Sequence, residues 1–222
     1  MKEDQPASQL KMLLNPEREF YDCCRFGDSM GVARFLSGGP DPDVVHVDLN
    51  ACNPMFFGYT ALHAACENGH LDIVQLLLRH QKVNVDVKVQ KKLWTPFFLA
   101  CWTGRHKVVE VMLQDPRIDM NSASVDGYTP LTIAMVCANV QVVKVLLASG
   151  RILDFSVATN SKCREGAGRT VRELAYGNSE VLELLQRFSR NEAQVRWELQ
   201  MELGQGGQHR SSFIVFFFSI LL

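Results

Sequence analysis

Three stretches of the chain repeat one pattern of residues at nearly constant intervals. The first copy begins at Thr60 and reads Thr-Ala-Leu-His-Ala-Ala-Cys-Glu-Asn-Gly, followed by an apolar run that ends at Leu78. The other copies begin at Thr95, with Thr-Pro-Phe-Phe-Leu-Ala, and at Thr129, with Thr-Pro-Leu-Thr-Ile-Ala. The first two threonines are 35 residues apart and the last two are 34 residues apart. A period of this length predicts stacked copies of one small unit rather than a single continuous core.

The residue types in the pattern suit two short helices joined by a tight turn. The hydroxyl of the threonine can cap the first helix, and the ring of His63 is placed one turn later, where it can bond back toward that cap. Gly69 suits the left-handed turn that ends the first helix. A small residue stands five positions after each threonine and lets two helices touch: Ala65, Ala100 and Ala134. The spaced apolar residues beyond the glycine predict a second helix with a wide buried face.

The three copies resemble the ankyrin repeat, which opens with Thr-Pro-Leu-His-x-Ala and has a period of about 33 residues. The resemblance implies an all-α solenoid of about five repeats joined by short hairpin loops. The clear repeats are residues 56–90, 91–124 and 125–155. Residues 16–37 and 166–188 keep only part of the pattern and are predicted to be degenerate repeats that cap the two ends, because a terminal repeat faces water on one side.

Three further segments lie outside the repeats. Residues 1–15 are predicted to be a flexible lead-in, and residues 189–203 to be an additional helix, because apolar residues recur there at every fourth position. Residues 204–222 are predicted to be a disordered linker and apolar tail. The ten residues from Phe213 onward would span about 15 Å as a helix, half of a hydrocarbon core of about 30 Å. No membrane span is therefore predicted, although this tail could touch a membrane surface.

Charge and cysteine content narrow the possible functions. The net charge is −1, with 23 basic and 24 acidic side chains, and this balance argues against a nucleic-acid-binding surface. The amino-terminal residues lack the apolar core of a secretory signal peptide. Seven cysteines without paired spacing are typical of reduced thiols. A cytoplasmic protein is predicted, with a nuclear location also compatible.

The cysteines do not predict a metal centre. Cys24, Cys66 and Cys101 occupy the same position in successive repeats. Equivalent residues of stacked helices lie about 10 Å apart, whereas disulfides need Cα atoms within about 7 Å and zinc–sulfur bonds are about 2.3 Å long. His63 and Cys66 have ligand-like spacing, but no third and fourth ligands follow. These cysteines are predicted to be packing residues.

The sequence also lacks a recognisable catalytic arrangement. Acidic residues are dispersed, no serine lies in a nucleophile-elbow pattern, and no phosphate-binding glycine-rich loop is present. We therefore predict that the chain is not an enzyme, with no cofactor and no small-molecule substrate.

The resemblance implies that partner contacts come from the hairpin tips and from the exposed side of each first helix. Aromatic residues cluster at these positions, and large rigid rings are typical of binding hot spots. The alternative is that some rings pack against the next hairpin and only stabilise the stack. Leu93 stands where Gly58 and Gly127 stand in the neighbouring repeats. The predicted partner-binding residues are Phe57, Tyr59, Lys91, Lys92, Trp94, Trp102 and Tyr128.

The function implied by the resemblance is that of a non-enzymatic interaction module. Such a module would act as an adaptor or scaffold and bind another protein through the concave surface of the stack. The alternative is an ankyrin-type inhibitor that covers the active surface of an enzyme or transcription factor. The residues do not separate these two hypotheses, because both use the same surface.

Overall fold

A computed structural model describes residues 15–37, 47–153 and 178–205 of the 222-residue chain. Within these ranges the backbone forms ten α-helices and, apart from one isolated antiparallel bridge between Asn53 and Tyr59, no β-structure. In chain order the helices are α1 (Pro16–Phe26), α2 (Ser29–Ser37), α3 (Ala61–Asn68), α4 (Leu71–Arg79), α5 (Pro96–Trp102), α6 (His106–Met112), α7 (Pro130–Val136), α8 (Val140–Ala148), α9 (Ser179–Arg190) and α10 (Glu192–Glu202).

The first eight helices stack as four successive pairs. The first helices pack in one row, α1 on α3, α3 on α5 and α5 on α7, and the second helices form a parallel row from α2 to α8. The predicted all-α solenoid is thereby confirmed. Helix α9 falls where the second helix of the fifth repeat is predicted. The predicted lead-in before Asn15, the first helix of the fifth repeat and the tail beyond Gln205 lie outside the described residues.

Each clear repeat begins with a buried threonine that closes a hydrogen-bonded cap. The Thr60 N–H donates to Nδ1 of His63 at 3.1 Å, and the Thr95 hydroxyl accepts from the Phe98 N–H at 3.1 Å. In the third repeat a second threonine replaces the histidine, and the Thr129 N–H donates to its hydroxyl at 2.7 Å. These bonds satisfy amide groups that a buried helix start would otherwise leave unpaired.

The residue before each second helix fastens its repeat to the preceding one. The Arg105 Nε donates to the Glu67 carbonyl at 3.0 Å, and a Cβ added to Gly69 would lie only 2.8 Å from the Cδ of Arg105. Glycine is required at this turn both by this close approach and by its φ of 83°. The same link joins His70 to the Arg25 carbonyl and Asn139 to the Trp102 carbonyl.

The cysteine column lies in the core. Cys24, Cys66 and Cys101 are fully buried on the first helices, and the Cys66 Sγ lies 3.5 Å from the Sδ of Met112. Burial raises the pKa of the Cys66 and Cys101 thiols, so these side chains stay protonated and act as small apolar residues. Among the described residues, no three His, Cys, Asp or Glu side chains are grouped as metal ligands.

The additional helix packs on the carboxy-terminal end of the stack. Helix α10 contacts α8 and α9, and its residues Val195 and Leu199 are buried against them. Two polar links hold it in place: the Gln200 side chain donates to the Ala148 carbonyl at 2.9 Å, and Lys144 pairs with Glu202 at 2.8 Å. No helix in the described ranges is both long and apolar enough to cross a membrane.

The middle hairpin keeps the turn of its neighbours although it has no glycine. Leu93 adopts a φ of 56°, and Gly58 and Gly127 adopt 77° and 83° at the equivalent positions. A non-glycine residue in this region costs about 1–3 kcal/mol, so the surrounding hairpin imposes the conformation on Leu93. The middle hairpin therefore has the same backbone turn as its neighbours, and Leu93 adds a free-energy cost to it.

We expect Leu93→Gly to be more stable than Leu93→Ala by about 1 kcal/mol, because both remove the side chain and only glycine relieves the strain. Urea unfolding of the two variants measures the difference. Equal midpoints in the two variants would show that the turn relaxes without cost when the leucine is removed.

Candidate functional site

The surface assigned to partner contact consists of the hairpin tips and the last turns of the first helices. We call it the concave face and define it by two sets of positions. The tips are residues 55–58, 91–93 and 125–127, and the helix ends are residues 25–26, 67–68, 102–103 and 136–137. Successive repeats bring equivalent positions of this face to intervals of about 10 Å.

Two tryptophans form the centre of this face. The ring centroids of Trp94 and Trp102 are 4.8 Å apart, with the rings edge to face at 63°. Trp94 also lies parallel to Phe98, with centroids 6.3 Å apart. Phe98 is buried, Trp94 is half-buried and Trp102 is 38% exposed. The buried phenylalanine therefore anchors an aromatic cluster that presents Trp102 to solvent in a defined orientation.

Tyr59 is the most buried of the predicted partner-binding residues. Its side chain is only 5% exposed and its ring stacks on His63, with centroids 5.4 Å apart. Burial raises the pKa of its hydroxyl to about 12. The ring is already covered by the stack, which favours the packing alternative at this position, and partner contact at Tyr59 stays a prediction. Tyr128 at the equivalent place is half-buried against the core.

The predicted tip residues lie at the surface. Phe57 is 77% exposed, and Lys91 is also exposed. The Lys92 Nζ lies 3.7 Å from Asp126 on the next tip and 5.8 Å from the centroid of the Trp94 ring. Lys92 therefore links two hairpins and covers one edge of the aromatic cluster.

The concave face exposes more apolar residues than the sequence analysis identifies. Seven of the eleven large apolar side chains exposed in the described ranges belong to it: Phe26, Met55, Phe57, Leu93, Trp102, Val125 and Val136. Phe26 is missed because its repeat lacks the opening threonine. The cysteine column supplies the register there, since Cys24 aligns with Cys66 and Cys101 and so places Phe26 at a helix-end position.

At the first two repeats, the charged groups of the concave face either lie near groups of opposite charge or stack on an aromatic ring. The Arg25 guanidinium lies 4.0 Å over the Phe56 ring. Burial raises the pKa of the Glu67 carboxyl, and the charges of Arg25 and Arg105 oppose that rise. This end of the concave face therefore offers aromatic and aliphatic surface with little net charge.

Comparison with known proteins identifies the class to which this fold and surface belong. A family model of ankyrin repeats in three copies matches residues 20–124, and a model of the single ankyrin repeat matches residues 126–156. The chain belongs to the ankyrin repeat family. Ankyrin repeats generally mediate protein–protein interactions, and domains built from them are typically non-catalytic.

The individual proteins to which this chain is similar are of different kinds. SMC5-SMC6 complex localization factor protein 1 of Bos taurus is 39% identical over 94 residues, which are 42% of this chain and 9% of that protein. Alpha-latrotoxin-Lg1a of Latrodectus geometricus is 34% identical over 90 residues, 40% of this chain and 6% of the toxin. The E3 ubiquitin-protein ligase mind-bomb of Drosophila melanogaster is 34% identical over 95 residues, 37% of this chain and 7% of the ligase. The chain thus spans less than a tenth of each relative, and the similarity concerns the repeat module.

Proposed function

We propose that this chain is a non-enzymatic adaptor or scaffold that binds another protein through its concave face. The observation that carries the proposal is Trp102, a large ring that is 38% exposed and held by Trp94 and Phe98. A partner that covers such a ring removes apolar area from water without having to order a mobile side chain.

The repeat that follows extends this apolar centre. Val136 occupies the position equivalent to Trp102 and is 44% exposed. The two side chains lie one repeat apart, so a single partner segment can cover both of them. Aromatic residues at the centre of a patch, surrounded by smaller apolar contacts, are the usual composition of a binding hot spot.

We expect Trp102→Ala to weaken partner binding by about 2 kcal/mol or more, roughly 30-fold in Kd, because it removes the central exposed ring. Its effect on the free energy of unfolding is expected to be smaller than that of a core substitution, since part of the ring is already solvated. The measurement is quantitative capture of cellular proteins by the full chain and by the variant, with circular dichroism to confirm that both are folded.

Met30→Ala is the matched control. Met30 lies on α2 and is 81% exposed, so it is an even more accessible apolar side chain outside the concave face. The control is expected to capture the same proteins as the wild type. Undiminished capture by a folded Trp102→Ala protein would contradict the proposal and place the binding site on another surface.

A further inference from the structure

Two hairpin tips hold large apolar residues in a backbone conformation that glycine adopts more easily. Phe57 has a φ of 55° and Leu93 a φ of 56°. Such positive values favour glycine because a Cβ crowds the neighbouring carbonyl oxygen. Glycine does occupy the position equivalent to Leu93 in both neighbouring hairpins, as Gly58 and Gly127.

Neither of these two side chains belongs to the buried core. Phe57 is 77% exposed and Leu93 is 38% exposed, so neither fills a cavity in the core. A bulky residue in a strained and exposed position indicates a function for that side chain, because stability alone would favour glycine.

These residues belong to a row of exposed apolar side chains along the hairpin tips. We define the tip strip as Met55, Phe57, Leu93 and Val125, all of them exposed on three successive hairpins. The Val125 N–H donates to the Lys92 carbonyl at 3.1 Å, which joins the second and third hairpins directly. Three tips at intervals of about 10 Å give the strip a length of about 20 Å, enough to contact one short peptide segment.

The charge at the middle of the strip is basic. Lys91 and Lys92 directly precede Leu93, and both are exposed. Asp126 is 3.7 Å from Lys92, but both side chains of this pair are well solvated, so the pair is weak and its lysine can exchange partners. A ligand that complements the strip therefore carries apolar side chains with carboxylates beside them.

We propose that the tip strip binds an acidic, apolar peptide segment of a protein partner. The apolar side chains of the segment lie against Phe57 and Leu93, and its carboxylates lie near Lys91 and Lys92. This inference rests on the proposed function, since the strip borders the aromatic centre around Trp102. It adds the chemical class of the partner and a second set of contacts at the tips.

The test uses a display library of random 16-residue peptides, selected on the full 222-residue chain. Selected peptides are synthesised with a fluorescent label, and their Kd is measured by anisotropy. We expect selection to enrich aliphatic and aromatic residues together with Asp and Glu.

Leu93→Gly and Phe57→Gly are expected to raise the Kd at least tenfold without loss of helical content, because glycine suits both turns. Lys91→Glu is expected to raise it at least threefold. Met30→Gln is the control and is expected to leave the Kd unchanged.

The possible outcomes separate this inference from the proposed function. If Trp102→Ala weakens binding but the two glycine variants do not, the tip strip is not a contact and only the proposed function stands. If none of these variants weakens binding, both proposals fail. Selection of basic or purely polar peptides, or of none, would also overturn the inference. Two further results would overturn it, because the strip would then serve a membrane or a second copy of the chain. One is binding of the wild type, but not of Leu93→Gly, to vesicles of phosphatidylserine and phosphatidylcholine. The other is dimerisation of the wild type, but not of Leu93→Gly, in analytical ultracentrifugation.

Discussion

Leu77→Ala is expected to destabilise the stack by about 2–5 kcal/mol. Leu77 lies on α4, is 1% exposed and belongs to the continuous apolar core between the two rows of helices. Truncation removes its transfer free energy and leaves a cavity. The neighbouring helices are tied to one another across repeats, as by the bond from Arg105 to the Glu67 carbonyl, and so they cannot close that cavity fully. Urea unfolding, followed by circular dichroism, gives the change in midpoint at an unchanged slope.

The control for this prediction is Met30→Ala on the adjacent second helix α2. Met30 is mostly exposed, so the free energy of unfolding should change by less than about 0.5 kcal/mol. Peptides selected on the wild type should bind folded Leu77→Ala with the same Kd, because Leu77 does not reach the concave face. A loss of stability below about 1 kcal/mol would mean that the core repacks around the site.

The second large effect is a loss of folding stability as the pH falls, and we expect it from His63. Its ring is completely buried. Nδ1 accepts the Thr60 N–H at 3.1 Å, and Nε2 donates to the Trp94 carbonyl at 3.2 Å. These bonds need the neutral ring with its proton on Nε2. Burial lowers the pKa of His63 to about 4.

The direction of the pH dependence follows from this pKa. In the unfolded chain the pKa of His63 is near 6.5, so between about pH 6.5 and pH 4 the unfolded state binds more protons than the folded state. The stability that the neutral ring provides is present above pH 6.5 and is lost as the pH falls through this window. The expected loss between pH 7 and pH 4 is about 3 kcal/mol from this residue. Urea unfolding at pH 7, 6, 5 and 4 measures it.

The third clear repeat supplies the matched variant. Thr132 stands where His63 stands and accepts the Thr129 N–H at 2.7 Å, so His63→Thr keeps a capping hydroxyl without a titrating ring. This variant is expected to be less stable than wild type at pH 7, because it loses the bond to Trp94, and to show a shallower decline toward pH 4. The other histidines are common to both proteins and cancel in the comparison. Parallel pH profiles would assign the acid sensitivity to another group.

Much of the fold could be predicted because its determinants are local. The capping hydroxyl of Thr95 acts within one helical turn, and Gly69 is needed because the chain turns there in the left-handed region. Cys66 and Cys101 can be assigned to packing because the repeat period sets their separation. The predicted centre of the binding surface, Trp94 with Trp102, also follows from position within the repeat, since one register applies to every copy.

The exposure of each site residue depends on neighbours that the repeat pattern does not specify. Tyr59 and Trp94 both stand directly before a threonine, but Tyr59 is covered by the stack, whereas Trp94 is only half-buried and supports Trp102. Leu93 keeps a glycine-like turn because its own hairpin imposes it, with the Leu93 N–H bonded to the Val89 carbonyl at 2.7 Å. The sequence by itself determined the helices, their caps and the stacking period, since these arise from contacts within a repeat. The tertiary structure alone decided which rings meet solvent and which apolar tips form one strip, because burial is a property of contacts between repeats.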